Sequence, residues 1–275
     1  MRIINKKYVL ISTLVTLVLL ISMILSSYGE TWRHIFSNAT DISKEMKNYA
    51  DQFYFSKYHI WYTSFTYFSL LLFLLIPIAV SWIYSESYYA KTDMNIIYRK
   101  GLKRYYSLKC FKAIGLLTAI IALPLLMYWL LLNILPTTNN LYIDGVFEPL
   151  YYVIPSITIV HDGIREMAVR NPNQFIWYTL IVFSFCGINY GLFSFALGSF
   201  MRSRILRYLL PIISLVIIDF IIGMVIPNFN NSILFDSFNP ASVIGLNYIV
   251  PFHICLFVVT IGLLLMHYVK RSKEG

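Results

Sequence analysis

Hydrophobic positions along this chain come in long blocks, not in the alternating or single-stripe patterns of a soluble domain. An α-helix needs about 20 apolar residues to cross the hydrocarbon core of a bilayer. Six blocks approach that length, over 8–26, 61–84, 113–135, 175–200, 208–226 and 249–269. Each predicts a transmembrane helix. Pro77 in the second and Pro124 in the third are compatible with spanning, because neighbouring helices can satisfy the backbone group a proline frees. The first block follows Arg2, Lys6 and Lys7, as a signal peptide's would. Its apolar run is long for one and no small-residue cleavage site follows, so it reads as a retained helix.

The stretches between the blocks differ in kind. Tyr28 to His59 is polar, and within it Ile42, Met46, Tyr49 and Phe53 recur at spacings of three or four. That is one face of an amphipathic helix, resting on the outer membrane surface or packing on the bundle. The segment 146–160, VFEPLYYVIPSITIV, is apolar but short and is broken by Pro149 and Pro155. It reads as an outer-surface or re-entrant segment. The region 227–248, with Pro227 and Pro240, reads the same way. In the fourth block Gly187 and Gly191 form a G-x-x-x-G, a candidate site of close helix packing.

Composition agrees with this reading. The chain is 58% hydrophobic and 13% charged, against about 25% charged in soluble domains. The expected class is an all-α integral membrane protein, a single transmembrane domain over 1–275. The net charge of +9 would suggest nucleic acid in a soluble protein. Here its placement explains it. With the N-terminus inside, the N-terminus, the 85–112 loop, the 202–207 turn and the C-terminus hold 16 of the 22 basic residues. Cytoplasmic loops carry such an excess. The expectation is therefore a multi-pass chain in a cell membrane, a bacterial plasma membrane, with both termini cytoplasmic, lipid around it and no nucleic-acid partner.

Little in the chain points to catalysis. There is no G-x-x-x-x-G-K-[ST] for nucleotide, no H-E-x-x-H and no G-x-S-x-G. Cys110, Cys186 and Cys255 have no metal-type spacing, and His253 and His267 lie fourteen residues apart in the last block. No metal site is expected. Asp219 is the one acid at mid-membrane depth, and an intramembrane carboxylate is a functional candidate by default. It serves either packing or ion coupling.

The most polar interruption is Ser85 to Lys112, SESYYAKTDMNIIYRKGLKRYYSLKCFK, with seven basic residues against Glu86 and Asp93. Residues 95–109 predict a short amphipathic helix, weakened by Gly101, with Ile97 and Leu102, or Tyr98, Leu102 and Tyr105, as a small apolar ridge. Such a ridge with basic flanks suits a groove on a soluble partner; an ordinary basic loop on anionic lipid is the alternative. The order of features resembles the permease subunit of an ABC-2 type ATP-binding cassette exporter. In that family the loop after the second helix reads as a glutamate, often a Gly-Thr pair, a short apolar helix, a basic residue and a closing lysine. Glu86, Ile96-Ile97, Arg104 and Lys109 stand in those places, and Ala90-Lys91 stand near that of the Gly-Thr pair.

The resemblance implies an ATPase-coupling helix formed by Glu86, Ile96, Ile97, Tyr98, Leu102, Arg104 and Lys109. It implies partner ABC ATPase subunits that bind ATP and Mg, a second permease in a homo- or heterodimer, and no enzymatic activity in this chain. The aromatic-rich spans suit an amphipathic or hydrophobic cargo such as a peptide, toxin or lipid-linked molecule. Two other readings remain open: a non-transporting assembly or immunity partner, and a secondary transporter using Asp219.

Overall fold

The computed structural model describes residues 6–36, 57–89, 101–135, 171–201, 203–225, 237 and 246–274. Among them every regular element is an α-helix. They are α1 (Lys6–Phe36), α2 (Lys57–Thr63), α3 (Phe65–Tyr89), α4 (Leu102–Ile134), α5 (Pro172–Gly198), α6 (Arg204–Val225) and α7 (Leu246–Glu274). Five are long and apolar enough to cross a membrane: α1, α4, α5, α6 and α7. In α3 the apolar stretch is shorter, Tyr67–Ser81. The amphipathic pattern at 42–53, the segment 146–160 and most of 227–248 lie outside the described residues.

Helices α1, α4 and α7 outrun their hydrophobic blocks because polar residues continue them. The clearest case is α4. A separate coupling helix over 95–109, followed by a span from 113, was expected. Instead Leu102 to Ile134 is one 33-residue helix, so Leu102, Arg104 and Lys109 are corrected from a free-standing helix to the first turns of α4. α4 starts directly after Gly101, whose φ of 76° suits glycine. Beyond it nothing stops the helix, since Pro124 sits mid-span and is accommodated. At 1.5 Å per residue α4 is about 50 Å long, some 20 Å more than the hydrocarbon core.

The second block is likewise split. Ser64 separates α2 from α3, and both its N–H and its hydroxyl donate to the Trp61 carbonyl, at 3.3 and 2.6 Å. That satisfies backbone at the break from within the chain.

Helix α5 is the most enclosed span and packs on α3, α4, α6 and α7, while α1 packs on α2, α3 and α4. Against α4 the approach is close. A methyl at Gly187 would lie 2.8 Å from Ile121 Cδ1, and one at Gly191 would collide with both methyls of Leu117. Leu117 and Ile121 are one turn apart on α4, as the two glycines are on α5, so each side chain seats over a glycine. Tyr190, between them in sequence, faces α3 instead. Its ring stacks on Phe73 at 5.2 Å and its hydroxyl donates to the Phe73 carbonyl at 2.8 Å. Phe73 is four residues before Pro77, whose missing N–H leaves that carbonyl without its helical donor. Tyr190 supplies the substitute.

Helices α6 and α7 are the least enclosed, and Ile213, Val216, Phe220, Ile254, Val258 and Met266 are among their exposed apolar side chains. Such a surface is far larger than the apolar patches of soluble proteins and is the one a bilayer covers.

The Tyr190 substitution predicts non-additivity. Tyr190→Phe should cost about 1 kcal/mol by removing a buried interhelical hydrogen bond, measured by unfolding in detergent. In a Pro77→Ala background the backbone regains an N–H at that position, which can bond the Phe73 carbonyl within the helix. There the same change should cost clearly less. Equal costs in the two backgrounds would refute the pairing.

Candidate functional site

Two ends of the bundle carry polar chemistry. At one, Tyr106 of α4 meets His267 and Tyr268 of α7 edge-on, with centroids 5.5 and 5.8 Å apart. Phe200, just past α5, meets the same His267 at 5.2 Å. These rings gather the start of α4, the end of α5 and the end of α7. The α5–α6 turn joins them through Arg207, which is buried and donates from Nε to the Met201 carbonyl at 2.7 Å. Lys103, Arg104, Lys109, Lys112, Arg207 and Lys270 are thereby brought from three parts of the sequence to one end. Lys103 and Arg104 are exposed there. Lys109 lies back over the Tyr105 ring, its Nζ 4.6 Å from the centroid, and Tyr105 is buried.

Of the coupling residues expected from sequence, Leu102 is half-buried, Arg104 exposed and Lys109 half-buried on the α4 extension. Glu86 falls in the last turns of α3. Ile96, Ile97 and Tyr98 lie outside the described residues, so the expected order of glutamate, apolar centre and basic residues is seen only at its two ends.

The opposite end is aromatic. Tyr58, Trp61, Phe65, Tyr128 and Trp129 pack together where α2 crosses the end of α4; Trp61 sits 5.2 Å from Phe65, 6.1 Å from Tyr128 and 5.7 Å from Trp129. Tyr58 donates to Asn173 Oδ1 at the start of α5, 3.1 Å away. The end of α1 joins here through Ser26, which donates to the Thr63 carbonyl, and Ser27, which hydrogen-bonds Tyr128. Lys57 is buried in this cluster, and burial pushes its ammonium below the ordinary lysine pKa.

Within the membrane the notable polar contact is one the sequence reading did not single out. Asn189 of α5 donates from Nδ2 to the His253 carbonyl of α7 at 2.6 Å and lies 3.3 Å from His253 Nδ1. Both side chains are 3% exposed. Among the described residues, His253 Nε2 and Asn189 Oδ1 have no hydrogen-bond partner. An amide inside an otherwise apolar block was the available signal for Asn189. His253 is paired with it across a helix interface. Asp219 is half-buried on α6, between exposed Ile218 and Phe220. Among the described residues no group of three histidine, cysteine or carboxylate side chains could hold a metal.

No protein-family model matches the chain, and neither the curated proteins nor the solved structures include a match.

The convergence at the basic end predicts a specific cross-link. With native cysteines replaced, Tyr106→Cys paired with Tyr268→Cys should be bridged within one chain by a short bis-maleimide, seen as an altered gel mobility. Tyr106→Cys paired with Trp129→Cys, a whole span away, should not.

Proposed function

We propose that this chain is the permease subunit of an ATP-driven exporter of the ABC-2 type, with six spans and both termini cytoplasmic. The observation that carries the reading is the α4 extension. Its first turns, Leu102 to Lys112, project past the apolar part of the helix and carry four basic residues, Lys103, Arg104, Lys109 and Lys112. They sit beside the α5–α6 turn and the end of α7, which bring Arg207 and Lys270 to the same end. A basic bundle end belongs in the cytoplasm by the positive-inside rule.

Continuity of the extension with a span suits a coupling role. A separate helix on a loop would pass little motion into the membrane. A helix that runs unbroken from Leu102 into the buried contacts Leu117 and Ile121 transmits a push at its tip to α5 directly. The partner ATPase would bind ATP and Mg and carry out phosphoryl transfer, its closure rocking the spans of two permease subunits about a shared pathway. The aromatic side chains of the spans and the aromatic end suit an amphipathic or hydrophobic cargo: a peptide, a toxin or a lipid-linked molecule. The site of action is a bacterial plasma membrane.

A tagged chain purified from its native membrane should bring with it a protein containing a Walker A motif. Replacement of 95–105 by a Gly/Ser linker should abolish that association, and Arg104→Glu should weaken it roughly tenfold. Undiminished association with the linker variant would refute coupling through this segment. Cargo efflux that persists with a catalytically dead ATPase would refute ATP-driven export.

A further inference from the structure

We propose that Lys57 holds the phosphate group of a membrane phospholipid at the aromatic end of the bundle. The inference rests on the helices spanning a bilayer and is independent of the transport reading.

Lys57 is 9% exposed. An ammonium has three N–H donors and no acceptor. Here one donor reaches Asn133 Oδ1 at 3.3 Å, and the charge lies 5.2 Å from the Tyr58 ring centroid and 5.4 Å from that of Trp129. Asn133 is held for this by its own Nδ2, which donates to the Trp129 carbonyl at 2.7 Å and so turns its oxygen towards Lys57. A neutral amide oxygen and two ring faces leave a covered positive charge without a counter-ion, and among the described residues no carboxylate supplies one. Buried charges are ordinarily paired.

A second donor beside it is also unsatisfied. Trp61, one turn further along α2, is fully covered, and among the described residues its indole N–H has no hydrogen-bond partner. Residues i and i+4 share a helix face, and both side chains lie against the same Trp129 ring. Among the described residues nothing neutralises the Lys57 charge, so what completes the site is an anionic acceptor.

Depth identifies the anion. From Lys112, at the basic end, to Asn133 is about 31 Å along α4, one hydrocarbon thickness. Lys57 therefore sits at the headgroup level of the leaflet opposite the basic end, in the belt where tryptophan and tyrosine gather. The anionic group present throughout that layer is the lipid phosphate. Lys57 makes the contact, and Trp61, fully covered beside it, packs against the same Trp129 ring and backs the site.

The test uses the full-length protein in detergent, with Trp32, Trp82 and Trp177 replaced by phenylalanine so that tryptophan fluorescence reports on Trp61 and Trp129. Phosphatidylglycerol should give a saturable change, and an uncharged galactolipid should not. Lys57→Met should weaken the apparent affinity about tenfold, Trp61→Phe by less, and Lys57→Arg should largely retain it. Lys103→Gln with Arg104→Gln should leave this signal unchanged, which separates it from lipid at the basic end. If Lys57→Met does not fold, a galactolipid response equal to that of phosphatidylglycerol in the parent protein still overturns the proposal. Unaltered affinity in Lys57→Met overturns it directly, and an equal response to inorganic phosphate alone overturns the lipid assignment.

Discussion

The contact between α4 and α5 sets the position of nearly everything else. Leu117 and Ile121 occupy the space that side chains at Gly187 and Gly191 would need. In a bilayer, helices gain nothing from excluding water from one another, so close packing and hydrogen bonds decide which faces meet. With its glycine face against α4, α5 presents Tyr190 to α3 and Asn189 to α7. Asn189, Tyr190 and Gly191 thus reach three different helices, and α5 becomes the centre of the bundle.

The same interior explains how the chain tolerates its prolines and polar groups. In hydrocarbon a backbone carbonyl without a donor costs several kcal/mol. Pro77 creates one at Phe73, and Tyr190 covers it from another helix. Ser22, Ser27, Ser194 and Thr260 return their hydroxyls to carbonyls three or four residues back. His253 and Asn189 are the exception. They bond one another and, among the described residues, still leave Nε2 and Oδ1 without partners. That marks the α5–α7 interface as a place where packing is not determined by apolar fit alone.

The two ends of the bundle use the same residue types for different purposes. At the basic end, Tyr106, Phe200 and His267 knit three chain segments together while exposed Lys103 and Arg104 project from them. At the aromatic end a lysine is drawn inside, over Tyr58 and Trp129. A charge at the first is solvated and available to a partner; a charge at the second must be compensated where it lies. The proposed motor contact at one end and the proposed lipid contact at the other would each use one side of this asymmetry.

The sequence by itself determined the helical class, the membrane setting and the approximate place of five long apolar helices, because twenty apolar residues in a row have few other stable fates in water or lipid. It marked Gly187 and Gly191 as small and close-spaced, and Asp219 as an isolated acid. It did not reveal that the Leu102–Lys112 turns belong to α4, because a basic loop and a basic helical extension have the same composition, and the start of α4 after Gly101 depends on one backbone angle. Nor did it show which helix each face meets. The pairings of Tyr190 with Phe73, Asn189 with His253 and Lys57 with Asn133 join residues 117, 64 and 76 positions apart. Such pairings follow from how whole helices rotate against one another. That rotation is decided by all their contacts at once, so only the tertiary structure carries it.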